Sequence, residues 1–378
     1  MDIYVLNGLY GVEDVIDNYE SVIWNVQYYG QGDFQLQLAG TRKNLDAIRV
    51  NRYLVRGEDM SAGGTFKNVM IVTDMKMNFD ADKGWILTVT GKGLKSIVGR
   101  RVIWNQENIT GNAETGIRKI ITDNIISPAI TDRAIQSFEL DAVQGFTENI
   151  DLQCFGENIA DWLESVCTSL GYGWDVYISG WKYKFKLYRG TNRSYSQHDV
   201  PPVVFSSEFD NLLSSTYSYN MTAYKNVALV GGEGEGTAQR TASVGEAAGL
   251  GRYELYVDGS SVSSNGEIIT EEQYTALLKD YGQTMLDATS ATQQLEGQID
   301  TTGLYTIDRD YFLGDIVQIE NDMGIAAVPR IIGIIYAEDE NGSSVLPTFS
   351  EMQVFENIIT EDGEEIITED GQNIIKEV

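Results

Sequence analysis

Between Val69 and Val89 the residues alternate with a period of two, interrupted only by Asp80-Ala-Asp-Lys-Gly84. Val69, Ile71, Thr73, Met75, Met77 and Phe79 share one face, and Trp85, Leu87 and Val89 resume it after the turn. A helix cannot present that pattern, which specifies two antiparallel strands and a connecting turn. The same signature occurs upstream. Val22 to Tyr28 reads as one strand, and Gly32 to Leu38 as the next, with Phe34, Leu36 and Leu38 opposite Asp33, Gln35 and Gln37. Gly30-Gln31-Gly32 supplies the turn of this hairpin. Arg52–Arg56 is short and charged, which predicts a position near a sheet edge. Residues 1–97 therefore read as all-β, in a small barrel or sandwich.

Residues 98–202 read differently. Ile117, Ile120, Ile121 and Ile125 recur at helical spacing and stop at Ser127-Pro128. A second helix follows Gly156, with Ile159, Trp162, Leu163, Val166, Cys167 and Leu170 on one face and Gly171 as its C-cap. Strands Trp174–Ile178 and Tyr183–Tyr188 then turn at Ser179-Gly180, completing an α+β unit. The polar stretch Thr191–Pro202 predicts a linker.

Leu212–Thr222 and Asn226–Gly231 predict another hairpin. Residues 247–295 read as an insertion, with a strand at Tyr253–Val257 and a helix opened by the capping box Thr270-Glu-Glu-Gln273. Tyr274, Leu277, Leu278, Tyr281 and Met285 mark that helix's apolar side. Tyr305–Glu320 reads as two strands meeting at Leu313-Gly314-Asp315: Gly314 can take φ > 0, and Asp315 can accept backbone N–H bonds. Asp308, Asp310 and Asp315 read as solvated turn residues rather than a metal cluster or an acid/base pair. A further strand is expected at Arg330–Tyr336. The final segment repeats with a period of eight, as Ile358-Ile359-Thr, Ile366-Ile367-Thr and Ile374-Ile375-Lys, with Asp-Gly turns between. Three such short strands expose too much isoleucine alone, so these six isoleucines are expected to contact neighbouring subunits.

Composition limits the chemistry. Twenty-seven basic residues against 56 acidic ones give a net charge of −29, which repels nucleic acid and argues against specific DNA or RNA binding. No apolar run approaches the ~18 residues of a membrane helix, and no signal peptide is expected at Met1-Asp-Ile-Tyr. The two cysteines, Cys154 and Cys167, read as free buried thiols. Gly231-Gly-Glu-Gly-Glu-Gly236 lacks the Lys-Ser/Thr end of a phosphate loop and carries two repelling glutamates. The single histidine, His198, sits in the polar linker, poor ground for a triad. No catalytic residue, metal site or cofactor is expected.

Seven stretches, in order and spacing, resemble the hub proteins of tailed-phage baseplates, including the N-terminal hub portion of siphophage tail-associated lysins. They are Tyr28-Tyr-Gly-Gln-Gly-Asp-Phe-Gln-Leu-Gln-Leu38; Thr90-Gly-Lys-Gly-Leu-Lys-Ser-Ile97 with Arg100-Arg-Val-Ile103; Lys184-Phe-Lys-Leu-Tyr-Arg-Gly-Thr-Asn-Arg193; Val204-Phe-Ser-Ser-Glu-Phe-Asp-Asn-Leu-Leu213; Tyr224-Lys-Asn-Val-Ala-Leu-Val-Gly231; Gly249-Leu-Gly-Arg-Tyr-Glu254; and Asp310-Tyr-Phe-Leu-Gly-Asp-Ile-Val317.

The resemblance implies an α+β, mainly β chain with two tail-tube-like split β-barrels. They would comprise residues 1–97 and residues 203–246 plus 296–350, with the α+β domain 98–202 between them. The helical insertion 247–295 would interrupt the second barrel, and the hairpin repeat would occupy 351–378. It implies a homotrimer at the virion tail tip, made in the bacterial host cytoplasm. Its implied partners are the distal tail protein, the tape-measure C-terminus, and tail-tip or receptor-binding proteins. DNA would pass through its channel without specific binding. Many relatives continue into a peptidase or lysozyme-like extension; only the repeat follows here, so no enzymatic activity is expected. The rival expectations are a tail-tip carbohydrate- or receptor-binding protein and a tail-associated cell-wall hydrolase.

Overall fold

The computed structural model describes residues 1–260, 262, 270–301, 303–350, 354–357 and 375–376. Strands β1 (Ile3–Leu6), β2 (Val12–Ile16), β3 (Ser21–Gln27) and β4 (Asp33–Ala39) precede a short helix α1 (Arg42–Ala47). Then come β5 (Tyr53–Arg56), β6 (Met60–Ser61), β7 (Thr65–Phe66) and the long pair β8 (Met70–Asp80) and β9 (Gly84–Gly93). The middle of the chain carries β10 (Glu107–Asn112), α2 (Ala113–Ile121), β11 (Phe138–Leu140), β12 (Asn149–Cys154) and α3 (Ile159–Leu170). The hairpin β13 (Gly173–Ser179) and β14 (Lys182–Tyr188) follows, then β15 (Val204–Ser206) and β16 (Leu212–Asn220). Next are β17 (Val227–Gly231), β18 (Thr241–Val244), β19 (Glu254–Asp258), α4 (Glu271–Asp287) and β20 (Thr292–Ile299). β21 (Gln318–Glu320), β22 (Ala326–Ala327), β23 (Ile331–Asp339) and β24 (Gly342–Phe349) complete the elements used below.

The chain divides into two compact units, residues 1–213 with 298–351, and 214–297 with 352–378. In the first, a nine-stranded sheet runs in the order β2-β1-β5-β8-β9-β4-β3-β23-β24. Its expected hairpins form, with Trp24 opposite Phe34 and Met77 opposite Leu87. The β8–β9 register shifts between Val72 and Asp74, however, so Ile71, opposite Lys92, and Met75, opposite Val89, lie on different faces rather than the single face expected. Val22, Trp24, Phe34, Leu36, Leu38, Leu87 and Val89 are all buried, as their alternation requires. A second buried cluster joins Leu6, Val55, Phe66 and Ile71 to Ile117, Ile120, Trp162, Leu163, Trp174 and Phe185. This core therefore crosses the 97/98 boundary drawn from the sequence. α2 starts at Asn112, whose side chain accepts from Thr115 N, and α3 ends at Gly171 with φ +66°.

Several strand expectations change. β5 is interior, between β1 and β8, because Arg56 is buried by an ion pair with Asp59 and by stacking on Tyr336. The strands of the expected second barrel, 203–246 plus 296–350, are distributed among several sheets. β23 pairs with β3, so β23 and β24 extend the N-terminal sheet, whereas β15 pairs in parallel with β21. Leu212–Thr222 and Asn226–Gly231 form no hairpin, since β16 pairs with β20, and β17 pairs with β18 and β19. Tyr305–Ile307 forms no strand; Asp308, at φ +62°, folds the chain back so that Asp308 N bonds to Tyr311 O at 2.9 Å.

In the second unit, α4 packs on the β18-β17-β19 sheet. Tyr274, Leu278 and Leu286 cover Ala228, Val230, Ala242 and Val257. The 247–295 segment thus shares a core with strands assigned from sequence to the barrel. The capping box forms as expected, while Leu277 is exposed, off the buried face. Ile358, Ile359, Ile366, Ile367 and Ile374 lie outside the described residues. Ile375 is described only as the backbone partner of Asn357.

Candidate functional site: a buried junction at the 313–315 corner

The corner chosen from sequence lies at a meeting point of distant segments. Gly314 takes φ +97°, and its N–H bonds to Ile331 O at 2.8 Å. The Asp315 side chain, unlike the solvated turn residue expected, is 2% exposed. It accepts from Thr191 N (2.7 Å), Arg193 Nε (2.7 Å) and Phe312 N (3.0 Å). A buried carboxylate is tolerable only with such complete pairing. The same bonds hold the expected linker 191–202 against the corner, where Arg193 N also reaches Ile316 O at 2.7 Å.

Tyr28, at the end of β3, is the centre of the junction. It is fully buried and packs edge-on to Tyr29 (4.8 Å) and Tyr188 (5.1 Å). Its hydroxyl donates to Gly171 O at 3.2 Å and accepts from Gly190 N at 3.3 Å. Arg330 lies 5.5 Å from the ring centroid, and its Nη1 donates to Gly314 O at 2.6 Å. Two backbones approach this ring too closely for a side chain, and a third approaches the corner itself. A Cβ at Gly173 or Gly314 would overlap Tyr28, and one at Gly190 would overlap the Gly314 carbonyl.

Lys95 is buried beside them. Its Nζ donates to Gln27 O (2.9 Å) and Tyr28 O (3.1 Å) and sits 4.3 Å over the Trp174 ring. Burial pulls its pKa down to about 8, and the charge of Asp175 opposes that shift. A neutral amine keeps two N–H donors, enough for both carbonyls. A cavity of about 40 Å³ adjoins it, lined by Asn25, Gln31, Met70, Asp175 and Leu313 among others.

Of the sequence candidates, Leu313, Gly314 and Asp315 belong to this junction. Asp308 and Asp310 do not: Asp308 accepts from Tyr336 Oη at 3.1 Å, and Asp310 from Thr306 N at 2.7 Å. Tyr28, Lys95, Gly173, Gly190 and Arg330 were not singled out. The available signal was positional: stretches 28–38, 90–97, 184–193 and 310–317, all used for the resemblance, each contribute residues here.

Elsewhere, His198 is exposed. Among the described residues no group of His, Cys, Asp and Glu could hold a metal ion, and no helix is long and apolar enough to cross a membrane. Cys154 and Cys167 are buried and unpaired by disulfide, and burial raises their pKa values to about 11 and about 12. The β8–β9 hairpin carries a second notable surface. Beyond Val72 its residues are mostly exposed, and at its tip Phe79 (64% exposed) packs edge-on to Trp85 (51%) at 5.3 Å. Met77, also exposed, continues this apolar face.

The family model for siphovirus ReqiPepy6 Gp37-like protein matches residues 2–349. No curated protein matches. Among solved structures, the 43 kDa tail protein of prophage MuSo2 from Shewanella oneidensis is similar at a TM-score of 0.56 and 13% identity, over 93% of this chain and 98% of that one. The tail protein from Neisseria meningitidis MC58 is similar at a TM-score of 0.51 and 13% identity, over 92% of this chain and 96% of that one.

Proposed function

The chain belongs to the siphovirus ReqiPepy6 Gp37-like family, and on that premise we propose that it is a structural, non-enzymatic hub of a bacteriophage or prophage tail tip. Three copies would surround the DNA channel, contacting the distal tail protein above and tail-tip or receptor-binding proteins below, with the tape-measure C-terminus as a plug. The fold shared with the Shewanella and Neisseria tail proteins supports the tail assignment. The net charge of −29 suits a wall that DNA passes without sticking.

The observation that carries the assembled reading is the β8–β9 arm. An aromatic pair held out on an exposed hairpin, with Met77 behind it, is apolar surface of the kind that marks protein contacts. A permanent assembly buries upwards of about 2,000 Å², of which such an arm would supply a part. Light scattering on the purified chain should give three times the chain mass. The double variant Phe79→Ser/Trp85→Ser should lower that mass while keeping the circular dichroism of the parent. A wild-type monomer at micromolar concentration refutes the trimer. A cleared zone in a cell-wall zymogram refutes the non-enzymatic reading.

A further inference from the structure

Among the described residues, seven non-glycine residues hold φ > 0. Four of them, Asn51, Asn68, Asp210 and Asp308, are Asn or Asp, the residue types whose short polar side chains tolerate that region. The other three are Tyr10 (φ +62°), Ser137 (φ +58°) and Trp181 (φ +66°). All three line one open basin of about 590 Å³, with Leu9, Gln136 and Tyr183.

Trp181 is the most telling. Ser179 pairs with Lys182, so Gly180 and Trp181 form a two-residue hairpin loop, and both have φ > 0 as a type I′ turn requires. That turn favours Asn, Asp or Gly at its centre. Here the second position is a tryptophan, strained in its backbone and 57% exposed. With more than half of the residue exposed, burial offsets little of either cost. Strain retained without packing is the pattern of a site that presents a side chain.

The lining also selects a ligand class. In a chain of net charge −29, no residue lining this basin is acidic or basic. The Gln136 amide and Ser137 hydroxyl make no side-chain hydrogen bond to another described residue and are exposed. Tyr183 Oη is held 2.8 Å from Tyr53 Oη, and Tyr10 packs edge-on to Tyr183 at 5.6 Å, so the floor is fixed. A flat indole beside uncommitted amide and hydroxyl groups, without charge, matches a pyranose ring: apolar C–H face against the aromatic, hydroxyls to the polar groups.

We propose that this basin binds a neutral saccharide, with Trp181 as its stacking platform and Gln136 and Ser137 as hydrogen-bonding partners. The proposal is independent of the hub reading; a monomer that bound sugar through Trp181 would defeat that reading and sustain this one.

The test is saturation-transfer NMR and calorimetry on the full chain with maltotetraose and chitotetraose, beside an insoluble chitin pull-down that separates polymer surfaces from free oligosaccharide. The decisive variant is Trp181→Asn, which removes the platform yet suits the I′ turn. It should weaken binding at least tenfold, Gln136→Ala three- to tenfold, and the equally exposed control Trp104→Ala should change nothing. The proposal is overturned if neither saccharide binds in a Trp181-dependent way, or if Trp104→Ala acts equally. It also falls if Trp181→Asn alters the oligomeric mass, which would make the basin a contact between copies.

Discussion

Replacing Gly314 by alanine tests the junction most directly. At φ +97° an L side chain costs on the order of 1–2 kcal/mol in the backbone alone. The added Cβ would also sit 2.8 Å from Tyr28 Cδ2 and 2.9 Å from Cζ, and closer still to Cε2. The ring has little freedom to yield, being fully buried between Tyr29 and Tyr188 with its hydroxyl bonded on both sides. Overpacking of this kind adds about 1–3 kcal/mol. The sum, about 2–5 kcal/mol, corresponds to a fall in Tm of roughly 5–20 °C for a unit of this size. Gly171→Ala is the control: φ is +66°, but its Cβ would meet only Arg330 Nη2, at 3.4 Å, so about 1 kcal/mol is expected. In a Tyr28→Ala background the Gly314→Ala cost should shrink to its backbone part, a coupling of about 1–3 kcal/mol. Urea unfolding followed by tryptophan fluorescence suits the measurement, because all six tryptophans lie between Trp24 and Trp181, within the first unit. Equal costs for Gly314→Ala and Gly171→Ala, or a Gly314→Ala cost indifferent to the Tyr28 ring, would refute the reasoning.

Three further outcomes are expected. Asp315→Ala should cost about 3 kcal/mol by denaturant titration, since it strips three donors of their acceptor in a buried site; Asp308→Asn, which tolerates φ > 0, should cost under about 0.5 kcal/mol. Lys95 has a folded-state pKa near 8, below its unfolded value of 10.5, so the unfolded chain binds the extra proton between those values and stability contributed at this site rises with pH there. Wild type should therefore gain on Lys95→Met by about 1 kcal/mol per unit between pH 8 and 10, and parallel profiles would contradict that. Trp181→Gly should raise stability by about 1 kcal/mol in thermal unfolding, because it releases the φ +66° strain; no gain would mean that the turn is not strained.

What the sequence made legible was local. The β3–β4, β8–β9 and β13–β14 hairpins, the Gly171 cap and the Thr270 capping box each depend on residues within a few positions of one another, and each forms. A period-two pattern states which face of a strand is buried but not which strand lies beside it. Hence β23 was recognised as a strand, yet its partner β3, some three hundred residues earlier, was not. Arg56 shows the same limit from another side. Its charge argued for a place near an edge, and its pairing with Asp59 and stacking on Tyr336, distant in sequence from β5 in the second case, make the interior position tolerable.

The junction was legible in one half only. Gly314 and Asp315 declared a corner through their own conformational and hydrogen-bonding preferences. Gly173 and Gly190 carry no such signal, because their backbones show no positive φ; they are small solely because Tyr28 and the Gly314 carbonyl come close from elsewhere in the chain. A glycine required by local conformation can be read from a turn pattern, whereas one required by close approach acquires meaning only once its distant neighbour is known. The four stretches that meet at Tyr28 are thus a single constraint distributed over nearly the whole chain. A change in any one should be felt at the other three, which is why the Tyr28 and Gly314 substitutions are expected to couple rather than add.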